Sequence, residues 1–332
     1  QYRQVYVLIL TWSFHDLKEA SYTAPTGGKY TSLEDETKRL RGTFERRGYS
    51  VYEFDIPMQR STESLRQQLK NFCLLARDDT LLIVYYHGHG SLDDDNELMF
   101  SSHEHPANVA LSKTAAAELY EAMITGEACH AHGRSTQYRE LVKKYERYRP
   151  VSTVEWEAIR PIVLSASSDM LLILDCCAAG GATATASGRR AGGGSSIASS
   201  TFSPSSLHFT NWKPPTPAQR KYTKHLFAAC GFESSTTDDM TAAMCHVLDT
   251  WTPPPSPPRT QLPYWLTTKR LHQIMEDRLR RNSVGSQPIF RQLLPVDPEK
   301  YITLPDLSAG AGAGPDAGMS RGRRGGGSWR RG

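Results

Sequence analysis

An α/β fold with a mostly parallel central sheet of about six strands flanked by helices is predicted for this 332-residue chain. Three observations predict it. Short apolar runs alternate with charged stretches whose apolar residues recur at helical spacing. The first of these follow one another as strand, helix, strand, helix, strand, which is the signature of a parallel sheet wrapped by helices. Hydrophobic residues make up 39% of the chain, enough to bury a sizeable core.

Taken in order, residues 5–11 (VYVLILT) read as a buried strand. Residues 34–47 carry Leu40, Thr43, Phe44 and Arg47 at helical spacing, and Gly48 stops the helix. Residues 50–54 (SVYEF) give a second strand. Residues 61–76 open with a serine suited to a cap and place Leu65, Leu69, Phe72 and Leu75 on one helical face. Residues 80–86 (TLLIVYY) form a third strand, ending at His87-Gly88-His89-Gly90. Residues 170–174 (MLLIL) form a fourth, ending at Asp175-Cys176-Cys177. A fifth strand is expected at 225–229, helices at 241–250 and 268–281, and a sixth strand at 288–294. Pro288 and Arg291 place that last strand at a sheet edge.

The domain organisation follows from what interrupts this pattern. One domain is expected over residues 1–305, with insertions at 101–150, 181–224 and 252–260, and a disordered Gly/Arg-rich tail over 306–332. The first insertion is polar and His-rich, with helix-like patches at 114–123 and 136–148. Residues 180–206 are rich in Gly, Ala and Ser and are expected to be mobile. Residues 252–259 are Pro-rich. The tail has nothing from which to build a core. The chain opens at Gln1 with Tyr6 already in a strand, so it reads as cut from a longer protein, with other domains as expected partners.

Composition narrows the function classes. The net charge of +4 draws on the arginines of the tail and the remainder is near balance, so no nucleic-acid partner is expected. The cysteines (73, 129, 176, 177, 230 and 245) show no disulfide-framework spacing, and several sit in apolar runs. That suits a reducing, cytoplasmic setting. No signal peptide opens the chain and no apolar run is long enough to span a bilayer.

In an open α/β sheet, ligands bind outside the carboxyl ends of the strands. His89 follows the third strand and Cys177 the fourth. Both strands are strongly apolar and therefore central, so an imidazole and a thiol should meet at one rim. A thiolate attacks a carbonyl far better than a thiol, and an imidazole can act as the base. Gly88 and Gly90 flank His89 and allow close backbone approach. The N–H groups of Gly88 and Cys177 are candidates for an oxyanion hole. Neither His89 nor Cys177 alone would distinguish a site from a turn histidine and a core thiol; their conjunction does.

YYHGHG (residues 85–90) resembles the Y-S-G-H-G segment of metacaspases and the H-G turn of caspases. LLILDCCAAG (171–180) resembles the D-S-C-H-S-G segment of metacaspases and the Q-A-C-x-G segment of caspases. Residues 33–54 resemble the family's first helix and second strand, and FAACGFESS (227–235) its later strand and pocket loop. The resemblance runs over most of residues 5–295 and is nearest to fungal caspase-domain proteins and metacaspases. It implies a caspase-like three-layer fold and a cysteine endopeptidase, with His89 as base, Cys177 as nucleophile, and a peptide or protein substrate. Asp175 matches the acidic residue that in metacaspases lines a pocket for Arg or Lys, and a carboxylate there can pair with a guanidinium. The alternative that Asp175 only caps a strand end is level with this. Glu233 and Asp238 are weaker candidates for the same pocket.

The departures are informative. Ala178 and Ala179 replace the family's His-Ser, which keeps a catalytically inactive scaffold or signalling module in play. A separase-like peptidase of the same clan is a second rival. The interval from His89 to Cys177 exceeds the roughly 50 residues of caspases, and the 101–150 insertion accounts for the excess. The mechanism requires no cofactor. Some metacaspases carry an acidic calcium site after the histidine, which makes Asp93, Asp94 and Asp95 weak calcium candidates. His103, His105, Cys129, His130 and His132 lack a standard zinc spacing. Arg189 and Arg190, in the loop after the nucleophile, suggest self-cleavage within 181–206.

Overall fold

Alternation along the first strand sets the layering. In β1 (Gln4–Trp12), Val5, Val7 and Ile9 pack into one core, and Leu8, Leu10 and Trp12 into another. Successive side chains of a strand point to opposite faces, so β1 is covered on both sides. The computed structural model describes residues 2–15, 17, 33–93, 97–102, 121, 125, 128, 136–137, 152–177, 179, 182, 221–229, 239–252, 265–281, 288–294 and 300–308.

Six strands form the main sheet, in the order β2-β1-β3-β7-β8-β9. They are β1, β2 (Ser50–Ile56), β3 (Thr80–His87), β7 (Asp169–Asp175), β8 (Lys224–Ala228) and β9 (Ile289–Gln292). All neighbours are parallel except β8 and β9. The predicted edge position of the last strand is therefore observed. The strand itself is shorter than the sequence suggests, because Pro288 cannot donate to the ladder. One face carries α2 (Ser61–Cys73) and α3 (Trp156–Ser165), which contribute Leu65, Leu69, Phe72, Trp156, Ile159 and Val163 to the first core. The other carries α1 (Leu33–Arg46), α4 (Asp239–Thr250) and α5 (Thr268–Arg281), which contribute Leu40, Phe44, Met244, Leu248, Leu271 and Met275. The result is a three-layer α/β/α arrangement.

Helix α1 stops as expected at the glycine: Gly48 has φ +78° and donates to the Glu45 carbonyl at 2.9 Å. Such a φ favours glycine. The C-terminal segment packs over this turn. Ile302 and Leu304 are buried, Tyr49 donates its hydroxyl hydrogen to the Pro305 carbonyl, and the Leu307 N–H donates to the Arg47 carbonyl. The folded part thus extends three residues into the segment that sequence assigns to the tail.

Two elements depart from the sequence reading. A second, three-stranded antiparallel sheet is formed by β4 (His89–Leu92), β5 (Leu98–Ser101) and β6 (Thr153–Glu155). Helix α3 follows directly. The expected insertion at 101–150 falls between β5 and β6, which are adjacent and antiparallel. Its two roots are tied together, since Ser102 N–H donates to the Ser152 carbonyl at 3.1 Å. A long segment whose ends meet costs the fold little. The expected patches at 114–123 and 136–148, the loop at 181–206, the Pro-rich stretch beyond Thr252 and the tail beyond Ser308 lie outside the described residues, apart from a few isolated positions.

Candidate active site

The candidate site stands at the carboxyl ends of β3 and β7, the two central strands. Their register pairs His87 with Asp175, so residues 89 and 177 lie equally far beyond the last pair. Neighbouring strands are about 4.8 Å apart. Contact persists beyond the ladder. The Gly88 N–H faces the Asp175 carbonyl across a long 3.5 Å bond. A Cβ placed on Gly90 would lie 2.3 Å from the Cys177 carbonyl oxygen and 2.8 Å from Cys176 Sγ. Gly90 therefore lets the histidine segment close against the cysteine segment; no other residue fits there without a shift.

His89 is the first residue of β4 and is paired with Ser101 of β5. Its carbonyl accepts the Tyr86 hydroxyl hydrogen at 2.7 Å, and that hydroxyl accepts the Trp12 indole N–H at 2.9 Å. Tyr86 and Trp12 are fully buried, so the backbone under His89 rests on a fixed polar bridge. Burial pushes the Tyr86 hydroxyl well above its ordinary pKa, and the neighbouring Cys176 adds to this. It stays protonated and remains a donor.

The adjacent cysteines are placed differently. Cys176 is fully buried in the core beneath α2 and α3, whereas Cys177 is half-buried at the strand end. Among the described residues, Cys73 and Cys245 are free thiols. Burial pushes Cys73 and Cys245 up to about 11, which keeps them protonated and unreactive.

Asp175 ends β7 on the face covered by α1 and α4 and is 3% exposed. Its Oδ2 accepts hydrogens from Tyr85 at 2.9 Å and from Thr241 of α4 at 2.5 Å. Because β7 ends here, strand alternation does not carry the carboxylate's direction over to Cys177. On the same face, His87 Nε2 lies 3.1 Å from Glu36 Oε2 of α1, and both side chains are buried. Tyr85, Glu36 and Thr241 were not singled out from sequence. No local pattern connects residue 36 to residue 87 or residue 241 to residue 175; only the packing of α1 and α4 on the sheet does so.

The remaining sequence candidates divide. Gly88 commits its N–H to the last rung between β3 and β7, so serving an oxyanion would require it to leave Asp175. Asp93 closes the β4–β5 turn: its Oδ1 accepts the Glu97 N–H at 2.8 Å, and its own N–H donates to the Glu97 carbonyl at 3.0 Å. Asp94, Asp95, Glu233 and Asp238 lie outside the described residues. Among the described residues no three His, Cys, Asp or Glu side chains are grouped to hold a metal ion, and no helix is long and apolar enough to cross a membrane.

No protein-family model matches the chain, and no curated protein does. Among solved structures, the chain is similar to caspase-1 from Spodoptera frugiperda, at 12% identity and a TM-score of 0.40, covering 88% of this chain and 87% of that one. It is also similar to the Drosophila initiator caspase Dronc, at 7% identity and a TM-score of 0.44, covering 90% and 81%. With scores below 0.5, neither likeness decides the fold or the chemistry.

Proposed function

We propose that the protein is a caspase-like cysteine endopeptidase in which Cys177 is the nucleophile and His89 the general base. The observation that carries this reading is the meeting of the two strand ends, with Gly90 against the Cys177 carbonyl and the His89 backbone held by Tyr86. The chemistry follows from those residue types. His89 takes the Cys177 proton, and the thiolate adds to the substrate carbonyl. Collapse of the tetrahedral adduct expels the amine, which His89 protonates. Water then enters, His89 removes its proton, and hydrolysis of the thioester frees the thiol. No cofactor takes part in these steps.

Arg or Lys is the proposed residue before the scissile bond. Among the described residues the hydrogen bonds to Asp175 fall on Oδ2, which leaves Oδ1 for a substrate cation. A buried carboxylate beside a bound guanidinium is a charge-assisted pair. The same preference supports self-cleavage after Arg189 or Arg190, and a cytoplasmic setting accords with the free thiols of Cys73 and Cys245.

Hydrolysis of fluorogenic peptides ending in Arg, Lys or Asp, with and without calcium, tests the reading. Turnover of the Arg and Lys peptides that disappears in Cys177→Ala and His89→Ala is the expected result. No turnover under either condition, by protein shown to be folded, would favour the inactive scaffold, for which the Ala178-Ala179 departure is the specific motive.

A further inference from the structure

The row of residues at the carboxyl rim, on the α1/α4 face, holds more charge than the peptidase reading uses. His87 and Asp175 are register partners on adjacent strands. Both belong to the face on which Tyr85, Ile83, Leu171 and Ile173 pack. Helix α1 sets Glu36 over His87, and α4 sets Thr241 over Asp175. Two carboxylates and one imidazole therefore stand together, buried, at the carboxyl ends of β3 and β7, two residues before His89 and Cys177. The Glu36 and His87 side chains are 6% and 10% exposed, so water screens their charges little.

From this we propose that His87 is a specificity-determining residue. Its ion pair with Glu36 sets the net charge of the subsite that takes the side chain before the scissile bond, and hence how strongly a cationic side chain is preferred over a neutral one. With the imidazole protonated, the Glu36 charge is compensated and Asp175 alone attracts the substrate cation. With it neutral, both carboxylates act and the preference for a cation rises. Among the described residues, Tyr85 also packs on His87. It sits edge-on to the imidazole at 6.2 Å and is held protonated by burial and by Asp175. Behind Tyr85, Cys245 of α4 is held protonated at about 11 by burial, and Thr241 offers only a hydroxyl. The proposal rests on the peptidase reading and on Asp175 as the substrate anchor.

The test compares two peptides that differ only in Arg against citrulline, which keeps the shape of arginine and loses its charge. The ratio of their kcat/KM values is measured from pH 5.5 to 8.5. Steps common to both peptides cancel in the ratio. One unscreened charge at this range is worth about tenfold in discrimination. In the wild-type protein the ratio should therefore rise about tenfold across the imidazole range. In His87→Asn it should stay high and flat, and in Glu36→Gln low and flat. The wild-type profile needs no variant, so the proposal stays testable if either variant misfolds. A flat wild-type ratio overturns it, as does a rise that survives in His87→Asn. If Asp175→Asn abolishes the Arg preference while the wild-type ratio is flat, this inference alone has failed. If Asp175→Asn leaves the preference unchanged, the anchor on which it rests has failed. If neither peptide is turned over and a thiol-directed probe does not label Cys177, the peptidase reading has failed and takes the inference with it.

Discussion

Replacing Gly90 by alanine adds one methyl group at the contact on which the candidate site depends. The new Cβ would start 2.3 Å from the Cys177 carbonyl oxygen, 2.8 Å from Cys176 Sγ and 3.2 Å from Cys176 Cβ. Two of these neighbours cannot rotate away, because one is backbone and the other is the Cβ of a fully buried residue. Reaching even the shortest tolerable contact of 3.0 Å requires about 0.7 Å of separation between the two strand ends. A misplacement near 1 Å costs on the order of 10²-fold in rate, and overpacking of this kind costs about 1–3 kcal/mol in stability. The expected result is a fall in kcat/KM on an Arg peptide of about 10²-fold, with a melting temperature lowered by only a few degrees. Gly42→Ala is the matched control. There the added Cβ meets only the tip of Arg46, and alanine inside α1 stabilises by about 1 kcal/mol. If Gly90→Ala retained near-wild-type turnover, the closure of these two segments would not govern the chemistry and the reasoning would be refuted.

Four further outcomes are expected. Tyr86→Phe removes the hydroxyl that joins the Trp12 indole to the His89 carbonyl; stranding these buried groups should cost about 1–3 kcal/mol in urea unfolding and lower turnover as well. Lys224 is fully buried, donates to the Ala166 and Ser168 carbonyls, and is pushed down to about 8 by burial. Its folded pKa lies below its unfolded value, so stability should rise between about pH 8 and pH 10.5, a gain seen by thermal melts and missing from Lys224→Met. Ending the chain after Ser308 should leave the melting temperature unchanged, whereas ending it at residue 299 strips Ile302 and Leu304 from the core and should cost several kcal/mol; equal stability of the two would remove residues 300–308 from the folded unit. Incubated alone, wild-type protein should give fragments ending within 181–206 that Cys177→Ala does not give, and equal patterns would exclude self-processing.

How far the sequence reveals this molecule depends on the kind of element. Strands β1, β3 and β7 are apolar on both faces because helices cover both, and such runs announce themselves. Helix α5 is legible to the residue, since Leu271, Met275 and Leu279 mark one face with no breaker between them. Helix α3 is not legible because Pro161 interrupts it and a long polar stretch precedes it. Strands β4 and β6 are three or four residues long, with sequences HGSL and TVE that show no usable alternation. Sequence singles out His89 and Cys177 because each stands two residues beyond an apolar strand. It does not single out Glu36, Tyr85 and Thr241, because their contacts are set by which helix lands on which strand.

The central claim is that the half-buried Cys177 thiol beyond β7, and not its buried neighbour, attacks a substrate carbonyl with help from His89 beyond β3. Labelling with an arginyl acyloxymethyl ketone, followed by peptide mass spectrometry, tests this most directly. Adduct on Cys177, none on Cys176, and a rate of labelling that falls at least tenfold in His89→Ala are the expected results. Labelling of Cys177 at the same rate in His89→Ala, or no labelling of Cys177 in folded protein, would contradict it.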